Sequence, residues 1–244
     1  MIFSSNQLFA EDGTEATVEI EEIIVKASWR ETKLEKADAS IFVIGQEVLI
    51  DQPVKHFEQL TQMIPNLNWA GGSSRPRYFQ IRGIGERSGY EGTPNSSVGF
   101  IIDDIDFSGL GGIATTFDLE QVEVHRGPQG LRMGANALAG LIYMQSKNPT
   151  DAFEGIAELV YGSDDIKSLG IAMGGPIDEE EKLKYRVVLR QDEVNGFRNN
   201  SWLAKDNTSG KKEFTGRIKL NWQPNSASTI DFLLMNVDLE NGYD

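Results

Sequence analysis

The sequence predicts a small α+β domain over residues 38–148, followed from residue 149 by antiparallel transmembrane β-strands too few to close a barrel. Three observations carry this reading. Up to residue 148, short apolar runs alternate with glycine-rich turns and one helical pattern, as in a compact α+β domain. After Pro149 the pattern changes to longer segments with one apolar and one charged face, joined by short turns and longer loops in alternation. No apolar run is long enough for a transmembrane helix, a test that alternating strands escape.

The 244 residues carry a formal net charge of −14 and no basic arm or stripe, which argues against a general nucleic-acid binder. With no cysteine there is neither a disulfide framework nor thiolate chemistry. The start lacks a basic n-region, although Leu8-Phe9-Ala10 before Glu11-Asp12 has the form of a signal-peptide tail. Residues 1–37 are expected to be an exposed, poorly anchored arm. Within it, Ile23-Ile24-Val25 is β-branched, suited either to a partner's sheet edge or to a first strand of the domain itself.

From residue 38 the elements follow in order. Ser40 to Ile44 reads as a strand ended by Gly45, and Glu47 to Ile50 as a helical turn. Phe57, Leu60 and Ile64 have helical spacing, and Pro65-Asn66 stops that helix. Tyr78 to Arg82, Val98 to Ile102, Gln121 to His125 and Leu141 to Gln145 read as strands. The stretches Gly71 to Pro76 and Glu86 to Ser97 read as loops. His56 and His125, the two histidines, have no strong soft ligand nearby in sequence, so structural or surface roles are expected and a metal site is not.

Beyond Pro149, Phe153-Gly155-Ala157-Leu159-Tyr161 share one strand face. Leu183-Tyr185-Val187-Leu189 alternate with Lys184-Arg186-Val188-Arg190, and Phe214-Gly216-Ile218-Leu220-Trp222 with Thr215-Arg217-Lys219-Asn221. Ile166 to Met173 and Ser228 to Val237 are less regular members, and residues 192–213 read as a long polar loop. A soluble antiparallel sheet also alternates. Lys and Arg in register suit a lumen, and Tyr161 and Trp222 near strand ends suit aromatic girdles.

The most punctuated region runs from Val122 to Gly140. Gly127-Pro128 ends a strand, Gly130 is expected to supply a positive φ, and Gly134-Ala135-Asn136 makes a second small-residue turn. A phosphate loop is excluded because the Lys-Ser/Thr pair is missing. The stretch VEVHRGPQGLRMGANALAGLIYMQSKNPT closely resembles the plug-domain signature of TonB-dependent receptors. Family-like pieces occur in order around it: Leu60 to Asn66, Arg82-Gly83 within FQIRGI, Val98 to Asp103, Phe153 to Gly162, and Gly174-Gly175-Pro176. Asp104, Met133, Ala139 and Lys26 depart from the usual residues, which leaves local turn shape and the exact TonB box open.

The resemblance implies a plug with structural signature residues Arg82, Gly83, Asp103, Arg126, Gly127, Pro128, Gly130, Gly134, Asn136 and Gly140. It implies a TonB-contact segment at Glu22, Ile23, Ile24, Val25, Lys26 and Ala27. The implied activity is active uptake across the outer membrane of a scarce solute, foremost a ferric siderophore. Its partners would be TonB driven by ExbB and ExbD, an extracellular small-molecule cargo, and outer-membrane lipid; no cofactor is implied. Arg82 and Arg126 are expected to pair with acidic plug or lumen groups, and the loops at 71–76 and 88–97 to face the extracellular side, as cargo contacts or as plain structure. About five strands fit after residue 153, whereas barrels of this kind have many more, so the chain reads as a fragment that would not transport alone. The alternative is a secreted or periplasmic interaction module that uses a plug-like domain without a barrel. An enzyme is disfavoured, with no nucleophile triad, paired-histidine site or cofactor loop in the sequence.

Overall fold

The computed structural model describes residues 23–27, 32–51, 56–71, 75–88, 95–110, 114–130, 136–163 and 165–242. Glu22, Gly134 and most of the arm lie outside the described residues, as do parts of both candidate loops. The described arm holds strand β1 (Ile24–Val25), paired antiparallel with β2 (Thr32–Lys33). For residues 23–27 alone the expectation of a poorly anchored arm is corrected, because Val25 is fully buried and Ala27 nearly so.

The N-terminal domain follows as β3 (Ser40–Gly45), helices α1 (Gln46–Asp51) and α2 (Phe57–Leu60), then β4 (Leu67–Ala70) and β5 (Tyr78–Ile81). It is completed by β6 (Val98–Ile102), β7 (Ile105–Asp106), β8 (Leu119–Arg126) and β9 (Gly140–Ser146). Its main sheet has the order β3-β8-β9-β6-β7, with β6 parallel to β9 and the other neighbours antiparallel. The predicted helix from His56 is shorter than its apolar spacing suggests, passing into a 3-10 turn at Thr61–Met63. His56 caps α2: its Nδ1 accepts the Glu58 N–H at 3.2 Å while Gln59 Oε1 accepts the His56 N–H, a reciprocal box that satisfies two orphan donors. Asn66, in the left-handed region at φ 63°, turns the chain out of this segment.

Strand alternation sends side chains to two faces of the main sheet. Val122, Val124, Ile142 and Met144 enter the main core, where the rings of Phe57, Phe79 and Phe100 meet at centroid distances of 5.2–5.6 Å. Leu141, Tyr143 and Ile101 face a second cluster that includes Ala27 of the arm. Asp103 and Asp104, with φ of 48° and 67°, form the two-residue turn between β6 and β7, a geometry that both aspartates tolerate.

The signature region continues the β8–β9 ladder. The Gly127 N–H donates to the Ala139 carbonyl (3.0 Å) and the Gln129 N–H to that of Ala137 (2.9 Å). Gly127 takes the left-handed conformation, φ 109°. Gly130 does not take the positive φ expected of it; it is helical, and the ladder's turning is done by Gly127 and Ala137 instead. Gly140 is needed for close approach, since a Cβ there would lie 2.4 Å from the His125 carbonyl oxygen.

The second part is a meander of β10 (Glu154–Tyr161), β11 (Lys167–Pro176), β12 (Leu183–Val194), β13 (Arg198–Asn200), β14 (Lys205–Thr208), β15 (Lys211–Asn225) and β16 (Ser228–Asn241). Five of these strands form one antiparallel sheet in the order β10-β11-β12-β15-β16, and β13 and β14 make a separate hairpin. The long polar loop expected at 192–213 is therefore corrected. Asp192 pairs with Glu213 and Glu193 with Lys212, so the ladder runs on past the apolar pattern because backbone pairing does not require apolar side chains. The outward face carries exposed Leu159, Leu169, Ile171, Leu189 and Phe232. Tyr161 and Trp222 lie exposed near opposite ends of the sheet, as two interfacial girdles require. Among the described residues no helix is long and apolar enough to cross a membrane.

Gly140→Ala is expected to destabilise the N-terminal domain by about 1–3 kcal/mol through overpacking. Gly130→Ala, with open space around its Cβ, should be neutral or stabilise by up to ~1 kcal/mol. Urea titrations followed by near-UV circular dichroism separate the two; equal losses would refute the assigned turn geometry.

Candidate functional site

The N-terminal domain sits on the inner face of the meander, and the contact is chiefly ionic. On β11 that face is built of small residues, Ser168, Gly170, Ala172 and Gly174, which admit the domain. On β12 and β15 it carries Arg186, Arg190, Arg217 and Lys219. Arg186 lies directly opposite Lys219 in the register, and Arg217 opposite Val188. Like charges so placed repel one another unless anions come between them.

The N-terminal domain supplies those anions. Asp118, held at φ 61° beside Phe117, is buried against two strands of the wall. Arg186 donates from Nε to its Oδ2 (2.8 Å) and from Nη2 to its Oδ1, a bidentate pair. Arg217 donates from Nη2 to the Asp118 carbonyl (3.1 Å) and more distantly to Oδ2 (3.4 Å). Lys219 Nζ donates to Asp103 Oδ1 and to the Ser146 carbonyl, both at 3.0 Å. Arg190 pairs with Glu158 and Asp192 of the wall itself and lies 5.1 Å from the centroid of the Phe117 ring. Gly170 leaves room for this stack, because a Cβ there would come within 2.8 Å of both Arg190 and Phe117.

A second ionic cluster lies toward the long-loop end of the sheet. Arg75 donates from Nε and Nη2 to the two Glu213 carboxylate oxygens, each at 2.6 Å, and from Nη1 to Glu58 (2.7 Å). Lys211 also reaches Glu58 (3.1 Å), and Asn241 reaches Glu213 (3.1 Å). Burial disfavours the Arg75 charge, but the two carboxylates outweigh it and hold its pKa above the ordinary value.

Among the predicted signature residues, Asp103 meets the wall directly. Arg82 and Arg126 do not find the acidic partners expected of them among the described residues; both reach the Ser40 hydroxyl at 3.4 Å. The β3–β8 register places Ser40 opposite Arg126, and the Arg126 guanidinium also lies over the Phe42 ring at 5.8 Å. Gly83 takes φ 80° in the turn after β5, Pro128 is exposed, and Asn136 donates to Asp106 at 3.2 Å.

The candidate contact segment Ile23–Ala27 is docked on Glu123, a fully buried carboxylate on β8. Glu123 accepts the N–H groups of Lys26 (2.6 Å) and Ala27 (3.1 Å), and meets His125 Nε2 at 2.7 Å. Burial raises the pKa of Glu123, but the hydrogen bonds from His125, Lys26 and Ala27 outweigh it and leave the value below the ordinary range. Of the two roles expected for the histidines, structural or surface, both take the structural one. Asp118, Glu123, Arg75 and Glu213 were not singled out from sequence. For Glu123 a signal existed: polar Gln121, Glu123 and His125 alternate with core valines on a strand too buried to face water.

A domain seated against the inner face of an outward-apolar strand meander defines a plugged outer-membrane β-barrel wall. Residues 33–141 match the TonB-dependent Receptor Plug Domain family. The pesticin receptor of Yersinia pestis is 25% identical over 204 residues, covering 83% of this chain and 30% of that receptor. The ferric enterobactin receptor of Pseudomonas aeruginosa is 25% identical over 157 residues, covering 59% and 21% respectively. The crystal structure of the ferripyoverdine receptor of the Pseudomonas aeruginosa outer membrane superposes with a TM-score of 0.73 at 19% identity, covering 90% of this chain and 28% of that one. By the family match residues 33–141 are a TonB-dependent receptor plug domain, the strand meander after them shares the fold of such a receptor's wall, and the chain spans less than a third of the length of these relatives. The relatives are receptors, in keeping with the expectation of a non-enzyme.

Asp103 gives the interface a pH dependence. Burial raises its pKa, but Lys219, Arg217 and the Ser146 hydrogen bonds outweigh it and lower the value. Its stabilisation is therefore full above the usual aspartate range and is lost as pH falls through the lowered folded value. Urea midpoints measured against pH should show an acid-side decline that Asp103→Asn flattens; an unchanged slope would contradict the pairing.

Proposed function

We propose that the receptor performs TonB-dependent active uptake of a ferric siderophore across the outer membrane. The observation that carries this reading is the plug pinned on the inner face of a wall whose outer face is apolar. A plugged lumen blocks passive leakage, so cargo passes only if the plug is moved. Movement needs work, and the outer membrane has no ATP; the arm at Glu22, Ile23, Ile24, Val25, Lys26 and Ala27 is the handle on which TonB, energised by ExbB and ExbD, acts. The iron-chelate cargo is supported by relatives whose names specify ferric enterobactin and ferripyoverdine. The plug signature Arg82 to Gly140 serves as structure that holds the plug's shape.

Uptake is proposed for a whole receptor of the relatives' length, of which this chain spans less than a third. The end of the sheet that carries the long loops is taken as the extracellular one, and Arg75 lies there through its pair with Glu213 at the start of β15. Arg75 there is occupied by two carboxylates, which makes it a strut of the cargo floor and not a free ligand for an anionic chelate.

Cells carrying the intact receptor should take up at least one radiolabelled ferric siderophore from a panel, saturably, and lose uptake when TonB is deleted. TonB-dependent uptake of cobalamin or a glycan, with none of any iron chelate, would overturn the cargo assignment.

A further inference from the structure

The ionic seat leaves one part of the plug out. Its wall contacts come from Glu58 and Arg75 at one end, and from Asp103, Asp118 and Ser146 at the other. Among the described residues, no hydrogen bond or ion pair joins β3 or α1 to the wall. β3 is an edge strand whose one partner in the main sheet is β8. α1 has six residues, too few to persist without tertiary packing. Of the buried residues of the main core, these two elements supply Ile44 and Leu49, while Val48 and Ile50 of α1 are exposed.

Where α1 faces the wall, packing is incomplete. A cavity of about 90 Å³ lies between Leu49 and Ile50 of α1, Phe117 and Leu119 at the entry to β8, and Ile156 and Glu158 of β10. Pockets that hold a small-molecule ligand run to about 300–1,000 Å³. Nothing the size of an iron chelate passes here while α1 is in place.

We propose that β3 and α1 form a detachable gate, and that the cargo path opens along the inner face of β10 when they leave, the rest of the plug staying on its ionic seat. Beyond the arm, β3 is the first strand that tension along the chain meets, before any residue of the seat. As an edge strand it peels from β8 without breaking the β8–β9 and β6–β9 ladders. Loss of α1 then joins the cavity to the space that the helix had filled beside β10. The path rests on the uptake proposed above; the gate rests on packing and connectivity alone.

Native-state hydrogen exchange of the purified intact receptor tests the gate without cargo. Amides of residues 40–51 should exchange about tenfold or more faster than those of β9, as expected of a unit that opens separately. Equal protection of the two would mean that the plug opens as one unit, and would overturn the gate. The path is tested in an intact receptor with no other cysteine by Ile50→Cys with Ile156→Cys, positions that line the same cavity from plug and wall. Bridging the two thiols on cells with a bismaleimide should abolish uptake of a ferric siderophore that the same variant takes up unbridged, and leave its binding intact. A bridge between Gln145→Cys of β9 and Leu233→Cys of β16, across the cavity beside Asp103 and Lys219, should leave uptake unchanged. Uptake that survives the first bridge, or that both bridges stop, overturns the path. Faster exchange at 40–51 in a receptor that takes up no iron chelate upholds the gate and overturns the uptake reading instead.

Discussion

Three cations of the inner wall, Arg186, Arg217 and Lys219, stand beside one another on adjacent strands, and their placement sets the terms for the rest of the molecule. Among the described residues the wall does not neutralise all of them: Arg186 has Glu154, but Arg217 and Lys219 turn to Asp118, Asp103 and backbone carbonyls of the plug. Ion pairs buried in this way contribute little net stability relative to an apolar contact, yet removing one partner leaves an uncompensated charge. The plug and wall are thereby bound by specificity more than by hydrophobic area. Such an interface has a discrete bound state, and disengaging it exposes charges that water can solvate.

The plug's main sheet has two different jobs on its two faces. One face is an aromatic and aliphatic core around Phe57, Phe79 and Phe100, which gives the domain its rigidity. The other face is polar on β8 and apolar on β9, and receives the arm. Both connections leave the same short stretch of chain: Asp118 just before β8 faces the wall, while Glu123 within it holds the arm. The arm is therefore held by the strand that follows the wall contact, five residues from Asp118; under the proposed uptake, a pull on the arm would be delivered there.

Much of this was legible in the sequence where the information is local. Alternation located the wall strands, and it placed Arg186, Arg190, Arg217 and Lys219 on one face. Glycine and proline punctuation located the signature turn, although the turning falls to Gly127 and Ala137 where Gly130 was expected. What sequence does not show is pairing between distant residues. Asp118 meets Arg186 and Arg217 across 68 and 99 positions, and Arg75 meets Glu213 across 138. Carboxylates are plentiful in this acidic chain, so no local pattern marks the one that is buried. The same gap explains Arg82 and Arg126, whose conspicuous place beside glycines suggested acidic partners, whereas β-register brings them a serine. The strands at 192–213 were missed because their side chains are polar on both faces, leaving no period to read.

The most direct test of the ionic seat is a double-mutant cycle between Asp118 and Arg186, with stability of the intact protein measured by urea unfolding. Asp118→Ala alone should cost about 3 kcal/mol, since it removes the bidentate partner of the buried Arg186 and the carboxylate beside the buried Arg217. Combined with Arg186→Met, part of that cost should be recovered, giving a coupling of ~1 kcal/mol or more. Additivity within ~0.5 kcal/mol would contradict a plug held on its wall by this pair.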